Sequence, residues 1–315
     1  MQWFAQAPSN IALIKYMGKS NVENNLPINP SLSYTLNQLT SNVSLESQSH
    51  SRDIWEPLEL PGYKPFALTA AGQSRFLQHL DRLKTHFNYK GSFIIRSCNN
   101  FPQGSGLASS ASSFAALTKC ATLALCELTN TPLLSVEEQA QLSRLGSGSS
   151  CRSFFSPWAL WSEENVSAID VPYPALLHQA IIISDSEKSV SSSDAHLRIR
   201  TSPHYNARCQ QATENLKLLL NAFNAKDWES AYQICWREFH SMHTLFSTCT
   251  EPFHYITPRS QEILRLVQDL WNRGNEGPIV TMDAGPNIHL LYKPEQAALA
   301  QQFKQDHLVG NYDVI

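Results

Sequence analysis

The 315-residue sequence predicts an α+β protein in two parts that divide near residue 185. The first part mixes β-favouring runs with helical stretches, and the second is rich in segments whose apolar residues recur at helical spacing. Between them, the polar stretch 184–193 is typical of a boundary loop. We therefore expect an N-terminal domain over residues 1–184 and a C-terminal domain over residues 185–315, in keeping with the length of the chain.

Each element is predicted from a local pattern. The predicted strands are short apolar or β-favouring runs at residues 42–45, 92–96, 180–183, 279–282 and 289–292. The predicted helices, which have helical apolar spacing or an Ala- and Leu-rich composition without Gly or Pro, cover residues 67–87, 111–125, 135–146, 207–223, 227–246 and 260–272. Gly146 ends the third of these helices, and Asp227 is a suitable N-cap for the fifth.

Composition excludes several classes of function. With 42% hydrophobic and 16% charged residues and a net charge of −3, the chain has neither a disordered composition nor the basic balance of a nucleic-acid-binding protein. No apolar run reaches the roughly 18 residues expected of a membrane span, and the first residues lack the pattern of a signal peptide. Seven scattered cysteines without a Cys-x-x-Cys pair indicate neither a zinc site nor a disulfide framework, so we expect a cytoplasmic protein.

The segment PQGSGLASS at residues 102–110 has the features of a phosphate-binding loop that opens a helix. Gly104 and Gly106 allow the backbone to approach a ligand closely, and Ser109 and Ser110 fall where free helical N–H groups favour an anion. The segment matches neither the Walker A nor the Rossmann spacing. The alternative is a capped core helix that follows a glycine turn.

Three other segments carry candidate chemistry, each with a structural alternative. Lys15 and Lys19 lie four residues apart beside Gly18, where they could bind an anion or lie solvated on a surface strand. The run GSGSSCR at residues 146–152 combines hydroxyls with an arginine suited to a carboxylate or phosphate, although Gly/Ser runs are also linkers. The run KSVSSS at residues 188–193 is a second hydroxyl-rich loop with a cation, or a solvated boundary loop.

Two further patterns are weaker. The local sequence around Asp283 is typical of an ordinary turn, and by itself indicates a structural residue. His240 and His243 lie three residues apart on a predicted helix, but no His-Glu-x-x-His pattern and no carboxylate partner accompany them, so we expect no metal-ligand cluster.

Taken in order, these segments resemble the GHMP kinase superfamily and, within it, the diphosphomevalonate decarboxylases. The similar segments cover most of the chain: NIALIKYMGK at 10–19, LPINPSLS at 26–33, NNFP at 99–102, GLASSA at 106–111, GSGSSCRS at 146–153 and MDAGPN at 282–287. The serine-rich loop that ends in Cys-Arg-Ser is the segment that distinguishes the decarboxylase branch. Three positions depart from the pattern, namely Met17, Gln103-Gly104-Ser105 and Ser193-Asp194-Ala195.

The resemblance implies a two-domain fold, with an N-terminal half like ribosomal protein S5 domain 2 and a ferredoxin-like C-terminal half. It implies ATP-dependent conversion of 5-diphosphomevalonate to isopentenyl diphosphate, with Mg²⁺ bound alongside ATP, in a cytoplasmic homodimer that binds neither nucleic acid nor membrane. The implied catalytic residues are Asp283, Arg152, Lys15 and Ser192. The implied substrate contacts are Tyr16, Met17, Gly18, Lys19, Arg75, Ser147, Gly148, Ser149, Ser150, Cys151, Arg152 and Ser193. The implied ATP contacts are Pro102, Gly104, Ser105, Gly106, Leu107, Ala108, Ser109, Ser110 and Lys188, with Mg²⁺ reached through Ser109 or Ser110.

Three alternatives stay open from the sequence. The protein could be a related enzyme that acts on mevalonate 5-phosphate. It could also be a related kinase that phosphorylates the 3-hydroxyl without decarboxylation. A third possibility is a catalytically silent ligand-binding or scaffold protein on the same fold. The presence of both Asp283 and Arg152 argues against the kinase and the silent protein.

Overall fold

The computed structural model describes residues 1–49, 51–61, 63, 67–101, 109–184 and 189–315. In the first half the strands are β1 (Gln2–Ile14), β2 (Lys19–Asn21), β3 (Leu26–Pro27), β4 (Ser31–Gln48), β5 (Ile54–Pro57), β6 (Ser92–Asn99), β7 (Trp158–Ser162) and β8 (Asn165–Ala168). The helices of this half are α1 (Ala70–His86), α2 (Ser109–Thr129) and α3 (Val136–Gly146), followed by a 3₁₀ helix over Gly148–Phe154.

The first sheet is organised around the long antiparallel pair of β1 and β4. This pairing runs from Gln2 opposite Glu46 to Ile14 opposite Leu32. The other edge of β4 pairs first with β7 and then with β6, while β5 joins β6 in parallel and β8 joins β7. Strands β2 and β3 form a separate ribbon. Because β1 ends at Ile14, the next residue, Lys15, lies at the end of the central strand pair.

Helix α2 is the core helix of the first half. Its buried residues, among them Phe114 and Leu117, pack with Phe93 and Ile95 of the sheet. By length and composition α2 could cross a membrane. However, 78% of its apolar 18-residue stretch is buried inside the protein, as in a core helix. The expectation that no apolar run is long enough for a membrane span is therefore wrong for α2. Its Ala and Leu residues pack inside the protein instead.

The second half contains a ferredoxin-like unit, as predicted. Its elements are β9 (Leu177–Ile182), α4 (Ser192–Arg198), α5 (Tyr205–Asn224), α6 (Trp228–Thr248), α7 (Pro258–Gly274), β10 (Ile279–Met282), β11 (Ile288–Tyr292), α8 (Ala297–Phe303) and β12 (Asp313–Val314). The strand order β10-β11-β9-β12 with antiparallel pairing is that of a βαββαβ unit. The division between the two domains at 184/185 stays a prediction. In the structure the first strand of the second sheet, β9, begins at Leu177, before that division.

The two halves share apolar packing, and this packing positions the site. Ile11, Leu13 and Ile14 of β1 belong to the same core cluster as Phe239 of α6 and Met282 of β10. The Thr281 hydroxyl also donates to the Ala12 carbonyl at 3.1 Å. The residues that directly follow β1 and β10 are therefore held close together, although they are far apart in sequence.

The predicted helices are confirmed with small shifts in their ends. Ser135 forms a capping box with Glu138 at the start of α3, and the Asp227 side chain accepts from the Ser230 N–H at the start of α6. The sequence analysis missed β1 and most of β4. Strand β1 is largely buried on both faces in its second half and lacks a regular alternation of polar and apolar residues. Strand β4 does alternate, with Leu32, Tyr34 and Leu36 separated by polar residues, and this signal could have identified it.

Candidate active site

A cleft of about 280 Å³ lies where the two halves meet. The predicted site residues that line it are Lys15, Tyr16, Met17, Lys19, Arg75, Ser109, Ser110, Ser147, Gly148, Ser149, Arg152, Ser192, Ser193 and Asp283. Lining residues that the sequence analysis missed are Ala12, Asn25, Gly146, Ser191, His196, Met242 and Ala284. Residues that were predicted from separate segments thus share one concave surface.

Three predicted substrate contacts do not line the cleft. Ser150 and Cys151 are fully buried, and the Ser150 hydroxyl lies 2.6 Å from both Ser143 Oγ and the Ser147 carbonyl. The segment forms a 3₁₀ helix, whose period of about three residues places Ser149 and Arg152 on one face and turns Ser150 to another. Gly18 contributes through its backbone, since its φ of +103° favours glycine and its N–H donates to His196 Nδ1 at 2.9 Å.

The remaining predicted ATP contacts lie outside the described residues. They are Pro102, Gly104, Ser105, Gly106, Leu107, Ala108 and Lys188. Ser109 and Ser110 are described, and they form the first turn of α2 as predicted. Backbone N–H groups in a first helical turn have no partner within the helix, so this end of α2 presents donors to the cleft.

An ion pair between Lys15 and Asp283 lies inside the cleft. Lys15 Nζ is 2.7 Å from Asp283 Oδ1, and the two residues directly follow β1 and β10. Burial lowers the pKa of Lys15, and the carboxylate of Asp283 partly offsets this effect. Burial opposes ionisation of Asp283, but the neighbouring Lys15, His289 and Arg152 together hold its pKa below the usual 3.8. Asp283 is therefore a carboxylate at neutral pH, and its ion pair with Lys15 is a contact that its local turn sequence does not indicate.

The backbone of Lys15 is held by a second, fully buried ion pair. Arg208 of α5 and Glu238 of α6 form a short salt bridge with side-chain exposures of 0%. Glu238 Oε1 accepts from the Lys15 N–H at 2.9 Å, while Arg208 donates to the Lys15 carbonyl at 3.3 Å. Asn29 and Asn215 complete the network, donating to the Lys15 carbonyl and to Glu238 respectively. The peptide groups on both sides of Lys15 are therefore fixed.

Arg152 is a buried cation without a carboxylate partner among the residues that the structure describes. Its Nε donates to Asn10 Oδ1 at 3.2 Å and its Nη1 to Ser31 Oγ at 2.8 Å, and the residue is 4% exposed. Burial lowers the pKa of the guanidinium, partly offset by nearby acidic groups that include Asp283. A buried charge is costly unless it is paired, so this side of the cleft is suited to an anionic group.

A second cationic region lies around Lys19. Its ammonium contacts Asn25 Oδ1 at 2.6 Å, and its pKa is lowered by burial and by the charge of Arg75. The Tyr16 ring lies between those of Trp161 and His196 and is tilted against both, with ring centroids 4.6 and 4.5 Å away. A Cβ on Gly148 would lie 2.6 Å from the Tyr16 hydroxyl, so glycine is needed at that position. In the described part of the chain neither Lys19 nor Arg75 forms an ion pair, which leaves two positive charges facing the cleft.

The second hydroxyl-rich loop begins a helix. Ser191 is the N-cap of α4, its hydroxyl accepting from the Asp194 N–H at 3.1 Å. Ser192 and Ser193 form the first turn of α4 and line the cleft. The boundary-loop interpretation of residues 184–193 is thus wrong for the last two residues, because Ser191 caps a short helix that the sequence analysis did not predict.

The fold and the cleft define a protein of the GHMP kinase class, with an anion-binding surface at the start of a helix and an ion pair between its halves. Family models match residues 7–169 with the diphosphomevalonate decarboxylase-like N-terminal domain and residues 180–309 with the mevalonate 5-diphosphate decarboxylase C-terminal domain. The chain belongs to the diphosphomevalonate decarboxylase family. This confirms the predicted two-domain α+β fold and the predicted enzyme class.

Individual relatives agree with the assignment. A mevalonate diphosphate decarboxylase from Legionella pneumophila has 62% identity and a TM-score of 0.95 over 100% of both chains. The diphosphomevalonate decarboxylase of Debaryomyces hansenii is 30% identical over 92% of this chain and 79% of its own length. A relative called MDDEF, in complex with MVAPP, AMPPCP and magnesium, has 29% identity and a TM-score of 0.88 over 100% of this chain and 96% of its own. The ligands of this relative agree with the predicted use of ATP and Mg²⁺.

The buried pair beneath Lys15 gives a prediction that separates stability from activity. Glu238→Gln leaves Arg208 charged and unpaired, which should lower the free energy of unfolding by about 3–5 kcal/mol. The double variant Arg208→Met with Glu238→Leu should recover most of that stability, since apolar residues of similar volume replace the pair. Turnover of the double variant should nevertheless stay about tenfold or more below wild type, because Lys15 has lost two backbone partners.

Urea unfolding and steady-state turnover measure the two effects. The matched control is the Lys84–Asp53 ion pair, which is 12% exposed on each side and does not line the cleft. Replacing Lys84 and Asp53 by Met and Leu should change stability but leave turnover within about twofold. A stable Arg208→Met/Glu238→Leu enzyme with wild-type turnover would contradict the positioning role.

Proposed function

We propose that this cleft carries out ATP-dependent conversion of 5-diphosphomevalonate to isopentenyl diphosphate, releasing ADP, phosphate and CO₂. One observation carries the assignment of roles. The Asp283 carboxylate, 2.7 Å from the Lys15 ammonium, shares the cleft with the Arg152 guanidinium, which has no carboxylate partner among the described residues. A negative group that can face the reacting carbon and a cation that can bind the departing carboxylate are thus provided together.

We infer that the substrate is held by its two anionic ends. Arg152 offers planar donors that suit the C1 carboxylate. Lys19, Arg75 and Tyr16, with the hydroxyls of Ser147 and Ser149, surround the part of the cleft suited to the diphosphate. In this orientation the C3 hydroxyl lies between the two ends, beside Asp283.

Asp283 is assigned to the C3 hydroxyl. The tertiary hydroxyl is a poor leaving group, so it must first receive the terminal phosphoryl group of ATP. Asp283 orients this hydroxyl by accepting its hydrogen bond. As the O–P bond forms and the bond to ADP breaks, the hydroxyl proton passes to an oxygen of the transferred phosphoryl group, so Asp283 stays a carboxylate. Because its pKa is held below 3.8, Asp283 is a weak base, and it acts chiefly as a fixed negative charge. When phosphate departs, that charge stabilises the positive charge at C3, and the bond to the carboxylate supplies the electrons that release CO₂.

The nucleotide side of the cleft is provided by α2 and α4. Ser109 and Ser110 offer hydroxyls and free N–H groups to ATP phosphates, and Ser192 lies across the cleft at the start of α4. Bound Mg²⁺ would neutralise part of the phosphate charge, and the Ser109 and Ser110 hydroxyls are suited to reach it. Lys188 is assigned to ATP from the sequence resemblance, since it lies outside the described residues.

A cytoplasmic homodimer is part of the same proposal. All seven cysteines are free thiols, as expected in a reducing compartment. The dimer is inferred from the family resemblance, and sedimentation of the purified chain would test it.

The reaction is tested by its stoichiometry. With 5-diphosphomevalonate and Mg²⁺-ATP, ADP and CO₂ should appear in equal amounts, because decarboxylation depends on each phosphoryl transfer. Coupled ADP release and trapped ¹⁴CO₂ measure the two products. Mevalonate 5-phosphate serves as the comparison substrate. ADP without CO₂ would make the protein a kinase, and turnover only with the monophosphate would change the substrate.

Asp283→Asn keeps the size of the side chain while it removes the charge. Turnover should fall by at least about 10²-fold, since positioned acid–base groups contribute about 10²–10⁴-fold. Dissociation constants for substrate and ATP should change little, because other residues bind the diphosphate and the nucleotide. The matched control is Asp227→Asn, an N-cap far from the cleft where asparagine caps equally well. A folded Asp283→Asn enzyme with more than about a tenth of wild-type turnover would contradict the role.

Arg152→Lys keeps a positive charge but loses the planar donors. Turnover should fall by at least about tenfold, while the unfolding midpoint changes far less, because a lysine cannot bind a carboxylate in the same two-pronged geometry. Arg144→Lys is the matched control, since Arg144 is also buried but donates to the Glu164 carbonyl and is absent from the described lining of the cleft. Equal turnover in the Arg152 and Arg144 variants would remove Arg152 from the substrate site.

A further inference from the structure

His243 of α6 lies directly behind the Asp283 backbone. Its Nε2 is 3.1 Å from the Asp283 carbonyl oxygen. A carbonyl only accepts hydrogen bonds, so Nε2 carries the hydrogen and donates it. The residue is 7% exposed, and its ring makes edge contacts with Phe246 and Tyr255, with centroids 5.2 and 6.2 Å away. Burial lowers the pKa of His243 to about 3, so the ring is neutral at physiological pH and keeps its donor in place.

The contact matters because Asp283 begins a turn rather than lying within a strand. The Asp283 carbonyl also accepts from the Gly285 N–H, two residues further along the same turn, at 2.8 Å. The carboxylate is bound by Lys15. His243 thus ties the start of the turn to a long helix, and it fixes the peptide plane from which the Asp283 side chain extends.

A cavity of about 540 Å³ lies on the other side of His243. It opens between α6 and α7, and its wall includes His240, His243 and Tyr255. Tyr255 donates from its hydroxyl to the Val190 carbonyl at 2.8 Å, just before the Ser191 cap of α4. The cavity wall therefore supports two segments of the cleft, and the His243 ring separates the cavity from the Asp283 turn.

We propose that His243 is a positioning residue for the decarboxylation. Through its hydrogen bond to the Asp283 carbonyl, His243 keeps the Asp283 carboxylate aligned with the C3 hydroxyl of the substrate. The inference rests on the proposed function. It assigns to His243 no contact with substrate or ATP. Its effect should therefore fall on turnover and spare substrate binding.

The test compares variants that keep or lose the donor. His243→Gln places an amide N–H near the position of Nε2, whereas His243→Asn is too short to reach the carbonyl. We expect kcat to fall by about tenfold in the Asn variant, which corresponds to about 1.4 kcal/mol of transition-state stabilisation. The Gln variant should retain at least about a third of wild-type kcat, and KM for 5-diphosphomevalonate and for ATP should stay within about threefold in both.

Chemical rescue gives a readout that a purely structural role would not move. His243→Ala opens the ring position to the adjacent cavity, so added imidazole can enter and donate to the Asp283 carbonyl. Its kcat should rise with imidazole concentration and saturate. The matched control is His240→Ala, one turn earlier on α6, where the imidazole Nε2 has no hydrogen-bond partner among the described residues. That variant should keep wild-type kcat and show no imidazole response.

The outcomes separate the two proposals. Wild-type kcat in the Asn and Ala variants, or equal losses in Gln and Asn with no imidazole response in Ala, would overturn the positioning role. If His243→Ala does not fold, the difference between the Gln and Asn variants decides alone. Wild-type protein is assayed in parallel, and its failure to release CO₂ from 5-diphosphomevalonate would overturn the proposed function instead.

Discussion

The burial of the Lys15 ammonium is the constraint on which the rest of the site depends. At 1% exposure its charge must be balanced within the protein, and Asp283 provides that balance. The backbone on both sides of Lys15 is fixed by the buried Arg208–Glu238 pair on α5 and α6. Lys15 comes from the first half of the chain and its partners from the second. The reactive ion pair therefore exists only when both halves are folded and packed on the shared core around Ile11 and Phe239.

This arrangement also determines what Asp283 can do. A carboxylate whose pKa is held below 3.8 by cationic neighbours is poorly suited to abstract a proton from an alcohol at neutral pH. It is well suited to remain charged while positive charge develops beside it, since it is fixed in place before the reaction begins. Phosphoryl transfer demands little of the base, because its transition state is loose. The later loss of phosphate demands more of a fixed negative charge. The electrostatics of the pair therefore match the decarboxylation better than the phosphorylation.

Sequence patterns predicted six of the helices but missed the short α4 and α8, and the family resemblance supplied most of the cleft residues. The six helices were recognisable because their apolar spacing reports burial on one side. Strand β1 was missed because much of it is buried on both faces, whereas most of β4 was missed although its polar and apolar residues alternate. Ser150 and Cys151 were grouped with their neighbours, whereas the 3₁₀ turn directs them away from the cleft. Arg208 and Glu238 are 30 residues apart on different helices, and no local pattern shows that they meet beneath Lys15. His243 was considered only as a metal ligand, since its partner is a backbone carbonyl 40 residues away.

Three cations that form no ion pair among the described residues would allow a chain with a net charge of −3 to bind the proposed polyanionic substrate. Lys19 and Arg75 are close enough for one charge to lower the pKa of the other, and Arg152 is buried without a carboxylate in the described part of the chain. Like charges held together cost stability, and they persist only where the surrounding structure fixes them. Two residues supply that support: Tyr16, whose ring packs between Trp161 and His196, and Asn25, which donates to the Arg144 carbonyl. An anionic ligand that binds these cations relieves their repulsion, so substrate binding and stability of the folded chain are linked.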